Sequence, residues 1–74
     1  MLFTDSNYWI SLFCESDQDH ARAAELHREI AHERLILSEH ALGEVFTVIL
    51  RRFGRSLAFT SCGSLLTDPR AEVM

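Results

Sequence analysis

Leu35-Ile36-Leu37-Ser38-Glu39-His40-Ala41-Leu42-Gly43-Glu44-Val45-Phe46-Thr47-Val48-Ile49-Leu50-Arg51-Arg52-Phe53-Gly54 is the stretch that decides the fold. Its first three residues form a short apolar run bounded by polar residues, as expected of a buried parallel strand. Ser38-Glu39-His40 then opens a helix. Within it Leu42, Val45, Phe46, Ile49, Leu50 and Phe53 recur at i, i+3, i+4, i+7, i+8 and i+11, a full amphipathic stripe. Arg51 and Arg52 fall in the last turn, where the helix dipole favours cations, and Gly54 is expected to follow as a left-handed cap. A buried strand running straight into a one-faced helix predicts an α/β protein.

Working outward, Leu2-Phe3-Thr4 is apolar and β-tolerant, and Asp5-Ser6-Asn7 is rich in helix N-cap types. A short strand therefore passes into a helix from Ser6 to about Cys14, apolar nearly all round and so expected in the core. Glu15 to Asp19 is a polar break with Asp17 and Asp19 as N-cap candidates. A second helix, His20 to about Glu33, carries few and small apolar residues and is expected on the outside. Beyond Gly54, Ser56 offers a fresh N-cap, and Ala58, Cys62, Leu65 and Leu66 give a weaker stripe interrupted by Gly63. Asp68-Pro69 closes that helix. Arg70-Ala71-Glu72-Val73-Met74 reads as the start of a third strand, so the predicted order is β-α-α-β-α-α-β.

Composition bounds what such a fold can do. Seventy-four residues allow one domain, and a chain this short buries only about 60–65% of its unfolded surface, so its core is thin. The net charge of −4 argues against a broad phosphate-binding surface. Cys14 and Cys62 lie far apart and outside any CxxC or Cys/His cluster, which predicts buried thiols in a reducing compartment. With no basic leader and no apolar stretch near the roughly 20 residues of a membrane span, a soluble cytoplasmic protein is expected.

Two carboxylates carry the functional expectation. Asp5 follows the first strand and Glu44 sits one turn into the helix after the second, and the carboxyl ends of parallel strands are where open α/β sheets bind ligands. Carboxylates converging there suggest a divalent cation. Each also has a plain structural role: Asp5 as an N-cap stabilises by about 1 kcal/mol, and an acidic residue near a helix start complements the dipole by about 0.3–1 kcal/mol. At 100° per residue Glu44 lies opposite the apolar stripe, beside Thr47, Val48 and Arg51. The four histidines include no pair at i, i+3 or i, i+4, so a zinc site is not expected. No GxSxG, GxxxxGK[ST] or GxGxxG is present, which leaves oxygen-ligand metal chemistry.

Taken in order, the strand ending in Asp5-Ser6-Asn7, the helix Tyr8-Trp9-Ile10-Ser11-Leu12-Phe13, Asp19-His20-x-x-Ala23, Leu35-Ile36-Leu37-Ser38 and Leu42-Gly43-Glu44 to Arg51-Arg52 resemble the PIN-domain family, and most of all the toxin ribonucleases of VapBC-type toxin-antitoxin pairs. The resemblance runs the length of the chain. It implies a three-layer α/β/α fold with a short parallel sheet, and a Mg²⁺- or Mn²⁺-dependent endoribonuclease. Asp5 and Glu44 would then be catalytic metal ligands, with Ser6 and Asn7 supporting the site. An RNA substrate, a cognate antitoxin and a homodimer are the partners it implies.

PIN domains of this kind carry further acidic residues on a later helix and after a later strand, and residues 1–74 stop before either. Asp68, ahead of Pro69 in a turn, and Glu72, inside the third strand, do not replace them. The expectation is therefore the N-terminal part of a single PIN-like domain, its sheet truncated after the start of the third strand, with weakened or no activity on its own. The alternative is a non-catalytic remnant that binds an antitoxin through its apolar helices.

Overall fold

The computed structural model describes residues 1–74 and has seven elements: β1 (Leu2–Phe3), α1 (Ser6–Phe13), α2 (His20–Glu29), β2 (Leu35–Leu37), α3 (Glu39–Phe53), α4 (Arg55–Thr67) and β3 (Ala71–Val73). The order is the predicted one. The strands form a parallel sheet in the order β1-β2-β3. Each pair of neighbouring strands is joined by two helices, since parallel neighbours require a long crossover.

β2 is the centre. All three of its residues are buried, with Leu35 paired to Leu2 and Ala71, and Ile36 to Phe3 and Glu72. Side chains alternate across a strand, so Leu35 and Leu37 share one face while Phe3, Ile36 and Glu72 share the other. The first face carries the core. There Leu35 and Leu37 pack with Trp9, Ile10, Cys14, Val45, Ile49, Ala58, Cys62 and Leu65 from α1, α3 and α4. On the opposite face Phe3 is 77% exposed.

Local chemistry accounts for the helix ends, including those that differ from expectation. Ser38 caps α3 by accepting the Ala41 N–H at 3.0 Å, and the Met74 carbonyl takes the Glu39 N–H at 3.0 Å. Gly54 closes α3 with φ 95° and ψ 178°. That is not the left-handed helical cap expected, but an extended conformation at positive φ that only glycine adopts readily. It also serves as the N-cap of α4, which begins at Arg55 rather than after Ser56.

α2 stops at Glu29, short of the expected Glu33. The Ile30 carbonyl turns to the Glu33 N–H at 2.9 Å and to Arg70 Nη1 at 3.3 Å, and the chain bends back in time for Arg34 to pair with Leu2. Asp19 occupies the N-cap position of α2 without a capping bond. Asp17 supplies the order instead, its Oδ2 accepting from Asp19 N–H and Ser11 Oγ. Both cysteines are free and buried, as expected, and burial raises their thiol pKa values.

Trp9 ties the layers together. It is 1% exposed, and its indole N–H donates to Thr4 Oγ1 at 2.8 Å, whose own proton goes to the Ile36 carbonyl at 3.0 Å. A buried indole must find such an acceptor.

Ile49 is wholly buried in this core. Ile49→Ala should lower stability by about 2–5 kcal/mol through lost burial and a residual cavity. Leu66→Ala, at an exposed position, should stay within about 0.5 kcal/mol. Urea unfolding followed by Trp9 fluorescence checks both.

Candidate functional site

Asp5 stands two residues past β1 and is the N-cap of α1. Its Oδ1 accepts the Tyr8 N–H at 3.0 Å, satisfying one of the free donors of the helix start. Its Oδ2 has no protein partner, so the cap engages half of the carboxylate. Ser6 is the first residue of α1, and Asn7, the second, is exposed.

Glu44 lies on α3, turned away from the buried Ala41, Val45 and Ile49 as its angular position predicts. Its Oε1 is 3.7 Å from His40 Nε2, one turn earlier on the same helix. Both side chains are exposed, so that pair contributes little to stability. Glu44 is therefore held for no evident structural purpose.

The two carboxylates border separate hollows. A cleft of about 250 Å³ is bordered by Asp5, Asn7, Ser11, Asp19 and Arg22. The next hollow shares Asn7, Ser11 and Asp19 with it and adds Asp17, Val48 and Arg52. A third shares Val48 and ends at Glu44 and His40. The hollow at Asp5 lies between α1 and α2 and the one at Glu44 is lined by α3 alone, while the hollow between α1 and α3 shares residues with each but holds neither carboxylate.

No three His, Cys, Asp or Glu side chains converge closely enough to hold a metal ion unaided. Beside Asp5 the cleft offers oxygens of Asn7, Ser11 and Asp19 alongside the Arg22 guanidinium and the side chains of Tyr8, Ala23 and Leu26. That donor chemistry suits a hard cation that keeps most of its hydration shell and takes one or two carboxylates. Arg22 did not stand out in the sequence, and Asp19 did so only as a helix N-cap candidate and within Asp19-His20-x-x-Ala23. They reach Asp5 only because α2 folds back against α1, and an acidic residue in a polar linker gives no local sign of that.

A profile of the PIN domain matches residues 2–71. The fold superposes on the crystal structure of Mycobacterium tuberculosis VapC20, a sarcin-ricin loop cleaving toxin, with a TM-score of 0.81 and 25% sequence identity over 99% of this chain. The chain spans 55% of that toxin's length. No curated protein matches. With nearly every residue inside the matched profile and a toxin structure superposing over 99% of the chain, the chain belongs to the PIN domain family.

Proposed function

We propose that these residues form the N-terminal part of a divalent-metal-dependent endoribonuclease of the VapC toxin type, which hydrolyses RNA phosphodiesters in the cytoplasm and is restrained by a cognate antitoxin. One observation carries this reading: Asp5, just past the carboxyl end of β1, keeps one carboxylate oxygen without a protein partner at the edge of an open cleft.

Mg²⁺ or Mn²⁺ bound there would acidify water and offset charge on the attacked phosphate. Asp5 would hold it directly, fixed in place by the Tyr8 amide. Glu44, with no other bonding role than its exposed contact with His40, would orient water or supply a second carboxylate. Asn7 and Ser6 would hydrogen-bond the margin of the site. The chain spans about half of the matched toxin's length, so the activity of these residues is itself part of the proposal.

A second reading rests on a separate feature. A groove of about 530 Å³ between α3 and α4 exposes Leu42, Phe46, Phe59 and Leu66, the kind of apolar surface a non-catalytic antitoxin-binding remnant would retain.

Cleavage of a sarcin-ricin loop RNA by the full-length protein in Mg²⁺ or Mn²⁺ tests the first reading. Asp5→Asn and Glu44→Gln should each lower the rate by about 100-fold or more, given several kcal/mol of metal-borne stabilisation, and a chelator should abolish it. Undiminished cleavage in both variants would overturn the assignment.

The two roles of Asp5 separate by substitution. Asparagine caps as well as aspartate, so Asp5→Asn should leave the melting temperature nearly unchanged, whereas Asp5→Ala should cost about 1 kcal/mol. For a domain of this size that is a drop of about 4–8 °C, read by circular dichroism.

A further inference from the structure

We propose that Arg22 receives the RNA strand beside Asp5, its guanidinium taking a backbone phosphate at the cleft between α1 and α2. The proposal rests on the ribonuclease reading and names the group that holds the substrate there.

The cleft needs a cation. Asp5 and Asp19 both border it, and two carboxylates repel a phosphodiester unless an opposite charge offsets them. The chain as a whole carries a net charge of −4, so no broad positive field draws RNA in. Arg22 is the one basic residue on that cleft. It stands on the α2 wall, with Asn7 and Ser11 of α1 bordering the same space.

Nothing in the fold occupies this guanidinium. Arg22 is exposed, and the ion pairs of the chain join Met1 to Glu33, Arg34 to Glu72, His40 to Glu44 and Arg70 to Asp68. Asp19 and Glu25, three residues away on either side, are the partners that helical spacing offers, and neither pairs with it.

Its position also opposes the helix. Arg22 is the third residue of α2, whose first turn holds no acidic side chain, and a cation there meets the positive end of the helix dipole. Local stability gives no reason for an arginine at this place. A phosphate does. The planar guanidinium donates two parallel N–H bonds to a pair of phosphate oxygens, a geometry that a lysine ammonium does not match. Such a contact fixes the register of the strand without reading a base, so Arg22 sets where the backbone lies rather than which sequence is cut.

Binding of a short single-stranded RNA to the full-length protein, measured against salt concentration in the presence of a chelator, tests this. Arg22→Gln should lower the slope of log affinity against log salt by about 0.7, the contribution of one phosphate contact on a single strand. Arg22→Lys keeps the charge and should restore the slope. Arg28→Gln is the control: Arg28 is exposed on the same helix, about 240° round from Arg22 and off the cleft, so its loss should leave the slope at the wild-type value. A slope unchanged in Arg22→Gln, or lowered as much in Arg28→Gln, overturns the proposal. Since no cleavage is needed, failure of the ribonuclease reading shows separately: RNA held through Arg22 but left uncut on adding Mg²⁺ or Mn²⁺ overturns that reading and leaves the phosphate contact standing.

Discussion

The structure depends on the complete burial of β2. Three consecutive residues, Leu35, Ile36 and Leu37, are withdrawn from water, and a strand buried on both faces tolerates no unpaired backbone N–H or carbonyl. β1 and β3 must therefore lie on either side of it, and their parallel direction demands long crossovers on each side. From this one requirement follow the paired helices between strands and the position of both strand ends that carry the candidate site. Even Met74 serves it, donating to the Leu37 carbonyl while its own carbonyl caps α3.

Features governed by near neighbours were legible in the sequence. α3 declared its start by Ser38 and part of its buried face by spacing, Val45 and Ile49 lying in the core while Leu50 and Phe53 of the same stripe are exposed, and Asp5 declared itself as a cap within three residues of the amide it binds. The misjudged ends were set by distant partners. α2 stops where it does because Arg70, forty residues on, takes the Ile30 carbonyl, and nothing in residues 28–33 announces that. Gly54 was rightly singled out, but its ψ angle answers to the direction in which α4 must leave, which a local pattern does not encode.

The candidate site shows the same division. Asp5 and Asn7 are close in sequence and share a cleft. Glu44 borders a hollow of α3 residues alone, and only Val48 is shared between it and the hollow where α3 packs against α1. A capping role and a metal role for Asp5 had looked like competitors. Geometry removes the conflict, because a carboxylate has two oxygens and the Tyr8 amide takes one. The bond that stabilises α1 also limits how far the remaining oxygen can turn.

Tyr8 gives this arrangement a second anchor. Its amide holds Asp5, and its hydroxyl is held by His27, while Arg70 holds the Ile30 carbonyl at the end of the same helix. The N-terminus of α1 is thus tied at once to the strand it follows and, through α2, to the turn that leads into β3. Such a tie matters most in a small domain, where the apolar core is thin and each helix end has few buried contacts to fix it. A half-buried polar chain then supplies the order that packing cannot.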